Sequence, residues 1–598
     1  MNLRRRTTAA AGALITAAAL AVSGTATAAT AAPVSAQDGV TNAENPRVPV
    51  GAVWTEAYFP SADHSGVELH ADVLRPAHLS PRAKTPVILA VGPYFGHAGQ
   101  TGPEGWTRTG PSNRFADFTT GTDLFARGYT YVMVDLRGFG GSTGCLDWVG
   151  PGEQADVRAA IQWAAKQPWS TGKVGMYGKS YDAVTGLVGN NLRIGALKAV
   201  VAQEPVWNMY NYLFSNDVPR PNVTGTPNAY NGIATMASLA DDSDRYRANA
   251  AYEQSHPECL ADNLTNNNNP DLESAYWRAR NLAAQAKGTS TPLFVTQGFI
   301  ENNTKPEDME EYLDNHHGVE RGWLGQWEHV RGNETNGAGQ LLQGRAGFFD
   351  EVMRFYDRYL KGDKPAVRDP AYAIEDNTGA WRAQSTWPAP SSYTVVGLPD
   401  GQYVDDGIAS TLAAPAAPGD QQWDMEHATD PAPIAARALA AADAHSYFSW
   451  STPTRSRVRI TGTPRITLYA GAPGNVMVRL WDVAPDGTSV MFDENVALIE
   501  QAGRVAFDLK STDWTFETGH QLGVQIGTIG SGSWRDTPSG NTIEVTRARL
   551  SLALQNPASD VPTQGDRSPF LDTYLRQFTR TLTDVGAGTF PLAVRDRH

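Results

Sequence analysis

Residues 178–181 (GKSY) contain the side chain in this sequence best suited to act as a nucleophile. They follow the strand-like run 173–177 (KVGMY), and small residues at 183–189 come next. A strand, a sharp turn and a helix in succession expose a serine hydroxyl above a sheet, and Gly178 permits the close backbone approach that such a turn needs. The pattern predicts Ser180 as the nucleophile of an acyl-transfer reaction.

A serine nucleophile needs a base, and the base needs a carboxylate to orient it. Glu301 lies in a loop directly after the apolar run 292–296 (PLFVT), and His329 ends the segment 325–329 (GQWEH). Both follow Ser180 in the chain, the acid before the histidine, as in one known arrangement of such triads. We therefore predict His329 as the general base and Glu301 as the orienting acid.

The elements that must hold these side chains alternate between strand and helix. Residues 86–91 (PVILAV) and 129–134 (YTYVMV) are apolar throughout, which is typical of strands buried on both faces, whereas 156–165 (DVRAAIQWAA) has helical spacing. Further short strands are predicted at 196–202 and 292–296. This alternation favours an α/β domain with a parallel sheet, covered on both faces.

Two segments of different composition interrupt and follow this alternation of strands and helices. Residues 204–288 are rich in aromatic and polar side chains and are predicted to form a mostly helical cap over the sheet. An amphipathic helix is expected at 348–360, ended by Gly362. Beyond about residue 370, short strand-like runs separated by Gly, Pro and Asp recur, at 393–396, 458–460, 465–469, 476–480 and 522–526, which suggests an all-β sandwich.

The composition limits the functional classes. With 598 residues the chain is too long for one core, and its 41% hydrophobic and 9% aromatic content can fill at least two. The formal net charge of -14 gives no sign of the clustered excess of Lys and Arg that nucleic-acid binding requires, so no nucleic-acid partner is predicted. Neither a metal nor an organic cofactor is implied, and no oligomeric state is indicated.

The first 36 residues have the pattern of a secretory signal peptide and linker. Arginines at 4–6 precede an apolar run at 9–22 and an A-T-A site at 26–28, and the apolar run is too short to span a membrane. Cleavage is expected between Ala28 and Ala36. No later apolar run is long enough to span a membrane, so the sequence predicts an exported protein without a membrane anchor.

The sequence contains two cysteines, Cys145 and Cys259. In an exported protein two cysteines are most often joined as one disulfide, the alternative being two buried thiols. Two residues are too few for a four-thiolate zinc site.

Taken together, several motifs resemble the Xaa-Pro dipeptidyl-peptidase and cocaine-esterase family of α/β-hydrolases. They are residues 178–181 (GKSY), 298–306 (GFIENNTKP), 325–329 (GQWEH), 92–94 (GPY), 135–144 (DLRGFGGSTG) and 360–362 (LKG). The resemblance covers nearly the whole mature chain. It implies an α/β-hydrolase domain at 45–365 with a cap at about 204–288, and a C-terminal jelly-roll sandwich at 366–598.

The same resemblance implies roles for single residues. It gives Ser180, His329 and Glu301 the triad roles already predicted. The oxyanion hole would combine the Tyr94 hydroxyl with the backbone N–H of Tyr181. We assign Asp135 and Arg137 to structure, as an ion pair that fixes a loop.

The sequence departs from the family at two positions. Ala183 stands where the family usually has Gly, three positions after the nucleophile, and alanine is small enough for close packing. Glu301 stands where the family usually has Asp. Glu serves as the acid in other hydrolases of this fold, so both assignments stand.

Two enzymatic functions fit this machinery. The first is a dipeptidyl-peptidase that releases Xaa-Pro from peptide N-termini, a branch to which Lys179 and the run 303–306 (NTKP) are more similar. It requires an anion for the substrate ammonium and an apolar pocket for the proline ring. The candidate linings are four residues at the start of the cap, which could instead form its core: Glu204, Trp207, Tyr210 and Tyr212.

The second function is an esterase or amidase of the cocaine-esterase or acylase type, acting on small acyl substrates without an ammonium anchor. A third hypothesis, a secreted binding protein whose triad is inactive, is distinguished by fluorophosphonate labelling, since only an activated serine reacts quickly. For the sandwich, packing against the hydrolase domain is a simpler role than saccharide binding.

Overall fold

A mixed sheet of twelve strands carries the three residues of the predicted triad. The computed structural model describes residues 39–413, 443 and 445–594, so the predicted signal segment at 1–36 lies outside the described residues. Numbered in chain order, the strands of this sheet are β1 Val40–Thr41, β2 Ala52–Pro60, β3 Glu68–Pro76, β4 Thr85–Gly92, β5 Thr130–Asp135, β6 Ser170–Lys179, β7 Leu197–Gln203, β10 Leu293–Gly298, β11 Glu320–Gly325, β12 Tyr372–Glu375, β13 Trp381–Gln384 and β25 Val561–Pro562.

The order across this sheet is β1-β2-β3-β5-β4-β6-β7-β10-β11-β12-β13-β25. The seven strands from β5 to β12 in that order are parallel, and antiparallel strands extend both edges. Every residue of β4 and β5 is buried, because helices cover both faces of a parallel sheet. The predicted α/β core is present.

Five helices outside the cap flank this sheet. Their bounds are α1 Ala116–Gly121, α2 Pro151–Lys166, α3 Tyr181–Asn191, α11 Met309–Asn315 and α12 Phe348–Tyr356. The chain continues from α12 into a π-helical turn, Asp357–Lys361, and Gly362 ends it with a φ of +90°. A left-handed C-terminal residue favours glycine because no Cβ opposes it. The predicted amphipathic helix therefore exists, with its last turn widened.

The segment between β7 and β10 is mostly helical, as the sequence predicts for a cap. It contains one two-stranded hairpin, β8 Phe214–Ser215 and β9 Val218–Pro219. The helices are α4 Met209–Leu213, α5 Asn222–Ala234, α6 Asp244–Ala250, α7 Tyr252–Ser255, α8 Glu258–Asn267, α9 Ala275–Arg278 and α10 Leu282–Gln285.

The C-terminal part contains two antiparallel sheets that share one core. The first sheet holds β14 Ser392–Gly397, β15 Gly401–Val404, β17 Val458–Gly462, β18 Arg465–Ala470, β21 Gly503–Asp508, β22 Thr512–Phe516 and β24 Thr542–Gln555. The second holds β16 Ser446–Trp450, β19 Gly474–Val483, β20 Thr488–Ile499, β23 Gln521–Gly527 and β26 Thr579–Thr581. Two helices, α13 Ile408–Ala413 and α14 Pro569–Phe578, and a 3-10 turn, Pro557–Ser559, complete this part.

Apolar side chains from the two sheets form a single buried cluster. Ile460 and Leu468 belong to the first sheet, and Val478 and Val524 to the second. Burial of one face of each sheet against the other is the defining feature of a sandwich. Each of the five runs predicted as strands is a strand in the structure.

The parallel sheet continues past residue 365, where the sequence analysis ends the first domain. Strands β12 and β13 add to its edge. Strand β25, which comes after most of the sandwich strands in the chain, pairs with β13. The registers Arg382↔Pro562 and Ala383↔Val561 fix that contact. The two parts of the chain are therefore joined through a shared sheet edge as well as through a connecting segment.

The disulfide prediction is confirmed. Cys145 and Cys259 are bonded, with their Cα atoms 5.2 Å apart. The bond attaches α8 of the cap to the loop after β5. Among the described residues, no helix combines the length and the apolar character needed to cross a membrane.

The predicted ion pair between Asp135 and Arg137 is wrong. Arg137 binds Asp156, with Nε 2.8 Å from Oδ2, and Asp63, with Nη2 2.7 Å from Oδ2. Asp135 instead accepts the Gly141 N–H at 2.9 Å. Both residues still fix the loop after β5, each through other partners.

Candidate active site

The predicted nucleophile, acid and base come to one edge of the sheet. Ser180 directly follows β6, Glu301 lies three residues after β10, and His329 lies four residues after β11. The strands β6, β7, β10 and β11 are parallel neighbours in that order. Because the carboxyl ends of parallel strands meet at the same edge, the loops that carry all three side chains lie there together, where ligands of such sheets bind.

Ser180 has a strained backbone. Its φ of +63° and ψ of -128° belong to a region that residues with a Cβ rarely adopt. The structure holds it there through the Ser180 N–H, which donates to the Gln203 carbonyl at 2.9 Å. The Ser180 side chain makes no capping hydrogen bond to α3. The hydroxyl is thus not engaged by the helix that follows it.

The turn around Ser180 also requires a glycine at position 178. A Cβ on Gly178 would lie 2.2 Å from the Asp182 carbonyl oxygen, far inside van der Waals contact. Ala183, where the family usually has Gly, is fully buried, so one methyl group fits at that position.

Glu301 is fully buried in a ring of hydrogen-bond donors. Its carboxylate accepts the backbone N–H groups of Asn303 at 2.7 Å, Thr304 at 2.9 Å and Lys305 at 2.7 Å. The Thr304 hydroxyl donates a fourth bond at 2.6 Å. One carboxylate oxygen lies 3.5 Å from His329 Nδ1. The loop therefore positions Glu301 beside the imidazole.

Glu301 is ionised at neutral pH. Burial raises its pKa, but the His329 contact and the Thr304 hydrogen bonds outweigh that effect and bring the pKa to about 2. The charge of Glu301 is then available to orient an imidazole and to stabilise it once it is protonated.

His329 is neutral at the same pH. Burial is the largest cause that lowers its pKa, and the positive charges of Lys179 and Arg114 add to it. Together they outweigh Glu301 and bring the pKa to about 4. A neutral imidazole with a carboxylate at Nδ1 is ready to accept a proton at Nε2.

These pKa shifts predict the acid limb of the pH–activity profile. As the predicted general base, His329 must be neutral to accept a proton, so kcat/KM of the free enzyme should fall as pH drops through about 4 and stay level above it. Burial lowers the pKa of Lys179 to about 8, so its charge is present throughout this acid range. Lys179→Met should move the acid limb to higher pH.

Lys179→Arg is the matched control, because it keeps the positive charge and should leave the acid limb in place. The measurement is kcat/KM against pH for the three proteins. An acid limb at the same pH in wild type and Lys179→Met would contradict the assigned cause.

Tyr94 is buried, with 6% of its surface exposed. Its hydroxyl lies 2.5 Å from that of Tyr230, and the Arg114 guanidinium lies 4.0 Å from the centre of its ring. Burial raises the Tyr94 pKa to about 12. The phenol therefore keeps its proton at neutral pH and remains a hydrogen-bond donor.

Tyr181 begins α3. Its N–H is one of the first four of that helix, for which no intrahelical carbonyl exists. The Tyr181 hydroxyl points elsewhere and donates to Glu153 Oε2 at 2.7 Å. The Tyr181 backbone N–H is thus available to a ligand, whereas the Tyr181 side chain binds Glu153.

Three of the four residues predicted to line the substrate pocket are deeply buried. Glu204, Trp207 and Tyr210 expose 0%, 0% and 1% of their surface. The Trp207 indole donates to Gln297 at 3.0 Å, and the Tyr210 hydroxyl to Asp217 at 2.7 Å. These three side chains belong to the core of the protein. A core position is the alternative to lining the pocket that is named in the sequence analysis.

Glu204 ties together the strand ends that carry the candidate triad. It directly follows β7 and accepts the Trp327 indole N–H at 2.9 Å and the Gly298 N–H at 3.0 Å. Burial, and then the charge of Glu301, raise its pKa to about 8. Its role is to hold the segments that precede Glu301 and His329, and it is saturated by donors from the protein.

An aromatic cluster lies around the Tyr94 hydroxyl. The Tyr230 ring centre is 5.4 Å from that of Trp148 and 5.4 Å from that of Tyr181, and Trp148 is 6.0 Å from Tyr212. Of these rings the sequence analysis names Tyr94, Tyr181 and Tyr212. Trp148 and Tyr230 belong to no motif, so only the fold reveals them.

Lys305, in the run 303–306, is a structural residue. It is 1% exposed, and its ammonium lies 2.8 Å from Glu307 and 3.0 Å from the Ser215 hydroxyl. The run therefore fixes the loop after Glu301 against the β8–β9 hairpin and offers no charge to a ligand.

Two family models match the chain. Residues 65–331 match the X-Pro dipeptidyl-peptidase (S15 family), and residues 365–553 match the X-Pro dipeptidyl-peptidase C-terminal non-catalytic domain. The second match begins beside the predicted boundary at 365/366.

Individual proteins agree with these models. A Streptomyces avermitilis protein named "Putative Xaa-Pro dipeptidyl-peptidase" is 25% identical over 466 residues, 73% of this chain and 64% of that protein, so the match spans less than two thirds of the relative's length. The cocaine esterase of a Rhodococcus species is 22% identical, and the match covers 77% of this chain and 88% of the esterase. The crystal structure of an aminopeptidase from a Thaumarchaeota archaeon superposes with a TM-score of 0.61 at 19% identity, covering 85% of this chain and 97% of its own.

The fold and the sheet edge define an α/β-hydrolase core followed by a strand-rich C-terminal domain. The chain belongs to the X-Pro dipeptidyl-peptidase and cocaine-esterase family of serine hydrolases, as its motifs predict.

Proposed function

We propose that this protein is a secreted serine peptidase that releases Xaa-Pro dipeptides from peptide N-termini. The observation that carries the catalytic part is the strained Ser180, at the same sheet edge as the buried Glu301–His329 pair. The peptidase part rests on the family and on the names of its members.

In the proposed reaction the Ser180 hydroxyl oxygen attacks the carbonyl carbon of the prolyl residue, and His329 Nε2 takes the hydroxyl proton. The imidazolium then protonates the leaving amine as the C–N bond breaks, which leaves an acyl-enzyme ester. A water molecule, deprotonated by His329, attacks this ester, and the imidazolium returns the proton to the Ser180 oxygen as the dipeptide is released. Glu301 orients the imidazole and stabilises its charged form.

The negative oxygen formed at each attack needs donors. The Tyr181 N–H, which has no intrahelical acceptor, and the protonated Tyr94 hydroxyl are the donors we propose. Tyr230, the partly exposed member of the aromatic cluster next to Tyr94, supplies a flat apolar surface that suits a pyrrolidine ring.

The alternative is an esterase or amidase that uses the same triad. The aromatic cluster suits an aromatic or aliphatic acyl group as well as proline, and the family includes a cocaine esterase. This alternative requires no recognition of a substrate ammonium.

A substrate panel separates the two functions. Ala-Pro and Gly-Pro p-nitroanilides with free N-termini are compared with the same compounds N-acetylated and with p-nitrophenyl acyl esters. We expect kcat/KM for the free-ended amides to exceed that for the blocked amides by at least about 100-fold, because an unpaired ammonium site rejects the blocked compound. Equal turnover of free and blocked amides, or fast turnover of the esters alone, would establish the alternative.

We also propose export through a signal at residues 1–36, and a jelly-roll connection in the C-terminal domain. The disulfide between Cys145 and Cys259 supports an oxidising compartment. The N-terminal sequence of protein recovered from culture medium tests the export proposal: a mature N-terminus between residues 29 and 37 is expected.

A further inference from the structure

A second group of ionisable side chains lies on the antiparallel side of the large sheet. Glu56 of β2 stands directly opposite Asp72 of β3 in the strand register. His70 is two residues before Asp72 and shares its face of β3, and His97 follows β4. We call these four residues the histidine–carboxylate cluster.

The three side chains of Glu56, His70 and His97 lie together, and Asp72 contacts both imidazoles. His70 Nε2 lies 3.3 Å from Glu56 Oε1 and 3.9 Å from Asp72 Oδ1, and His97 Nε2 lies 3.4 Å from Asp72 Oδ1. The nearest ligand atoms of Glu56, His70 and His97 are all within 4.8 Å of one another. Ligands about 2.0–2.1 Å from a tetrahedral zinc ion are about 3.4 Å apart, so two of these distances already match such a site.

Each imidazole is held by a further carboxylate at its other nitrogen. His70 Nδ1 lies 2.8 Å from Asp135 Oδ2, and His97 Nδ1 lies 2.7 Å from Asp242 Oδ1. A carboxylate at Nδ1 keeps the proton there and leaves the Nε2 lone pair for a metal, which is the usual arrangement behind a metal-binding histidine.

Polar atoms inside the cluster lack hydrogen-bond partners. His70 and Asp72 are each 1% exposed, yet His70 Nε2 and Asp72 Oδ2 form no hydrogen bond. A buried polar atom without a partner costs about 1–3 kcal/mol, and such atoms in native proteins point to an ion or a water.

Negative charge is concentrated in the cluster. Four carboxylates, those of Glu56, Asp72, Asp135 and Asp242, surround two imidazoles. In the described part of the chain, no lysine or arginine forms an ion pair with any of these carboxylates. Buried carboxylates are paired or coordinate metals, because their desolvation is otherwise too costly.

We propose that one divalent zinc ion is bound by the four side chains of the cluster, which are Glu56, His70, Asp72 and His97. Two imidazoles and two carboxylates suit zinc, and four protein ligands leave no open position, as in structural sites. Glu56, whose side chain is 26% exposed, provides the path from solvent. The ion joins β2, β3 and the loop after β4, and through Asp242 it also holds the cap.

The experiment uses the untagged, disulfide-bonded chain, stripped of metal with EDTA and dialysed. Zn²⁺ and Co²⁺ chlorides are titrated in separate samples, with metal content measured by mass spectrometry and Co²⁺ geometry by visible absorption. The variants are Glu56→Gln, which removes a ligand, and Asp242→Asn, which removes only the carboxylate behind His97.

His316→Gln is the matched control. His316 is also buried and also carboxylate-bound, with Nδ1 2.9 Å from Glu320, but it lies outside the cluster. Thermal unfolding with and without Zn²⁺ is recorded for every variant, so that a folding defect is recognised separately from a binding defect.

We expect one Zn²⁺ per chain in wild type and in His316→Gln, with tetrahedral Co²⁺ bands and a higher Tm in the presence of metal. Glu56→Gln and Asp242→Asn should bind at least about 10-fold more weakly, and Zn²⁺ should raise their Tm less. The proposal is overturned if the stripped wild-type chain takes up no metal, which would mean that two protonated imidazoles close the cluster. Equal binding by wild type and Glu56→Gln overturns it as well.

Discussion

Ser180→Ala is expected to lower kcat by about 10⁴-fold or more while the protein remains folded. The loss follows from removal of the only proposed nucleophile, since the remaining triad members contribute little without it. Steady-state turnover of the best substrate from the panel, with active-site titration of the wild type, gives the ratio. A variant that kept more than one hundredth of wild-type kcat would exclude Ser180 as the nucleophile.

Ser180→Gly is the matched variant, because it tests the strain independently of the chemistry. Both variants lack the hydroxyl, but only glycine adopts a φ of +63° without a Cβ penalty. Strained residues of this kind cost about 1–3 kcal/mol, so the free energy of unfolding of Ser180→Gly should exceed that of Ser180→Ala by about 1 kcal/mol. Urea unfolding measures the difference, and the opposite order would mean that the turn is not strained.

Glu301→Gln is expected to lower kcat by about 10⁴-fold, the size of the effect when the acid of a comparable triad becomes an amide. A neutral amide cannot stabilise the His329 imidazolium, and its NH₂ group favours the wrong tautomer. The amide must also face backbone donors from Asn303, Thr304 and Lys305. Leaving such donors unsatisfied should reduce stability by about 1–3 kcal/mol.

The effect on stability should depend on pH. Glu301 has a pKa of about 2 in the folded protein, below its ordinary value, so its stabilising contribution is present above about pH 4 and is lost as pH falls towards 2. The difference in unfolding free energy between wild type and Glu301→Gln should therefore shrink over that range. A constant difference would show that the charge of Glu301 does not stabilise the fold.

Glu301→Asp is the control for charge. It keeps the carboxylate and matches the residue usual in the family. The shorter side chain loses either its hydrogen bonds with the backbone N–H groups or its contact with His329. We expect its kcat to exceed that of Glu301→Gln by at least about 10-fold. Equal activity of the two variants would argue that geometry alone, and not charge, explains the loss.

The core of the fold is readable from the sequence because its signals are local. An apolar run such as β4 or β5 shows a buried strand without knowledge of its neighbours, and the turn at Ser180 is encoded within four residues. Once the strands are parallel, residues just beyond their ends must meet. The sequence therefore suffices to nominate Ser180, Glu301 and His329.

The pocket lining was not predictable in the same way. Glu204 follows a strand just as Glu301 follows one, and the sequence does not reveal that its carboxylate points at Gly298 and Trp327. Arg137 has several acidic residues within reach, and the fold chooses Asp156 and Asp63. Such choices depend on side-chain packing, which no spacing records.

The histidine–carboxylate cluster was even less predictable from the sequence than the pocket lining. Its ligands come from β2, β3 and the loop after β4, and its outer carboxylates from β5 and the cap. No short motif contains them, so counting cysteines excludes a thiolate site but gives no information about one built from imidazoles and carboxylates. The register of β2 against β3 brings Glu56 to His70 and Asp72, and the loop after β4 adds His97.

The pairing of β25 with β13 has a consequence for how the polypeptide is made. Val561 and Pro562 are synthesised long after β1, yet they form the opposite edge of the same sheet. The large sheet is therefore not built from one contiguous stretch of sequence. A cut between β13 and the sandwich strands would leave β13 as the edge strand, with one side unpaired. The sheet that carries the candidate triad therefore reaches its full set of strands only after residues 561–562 have been synthesised and have paired with β13.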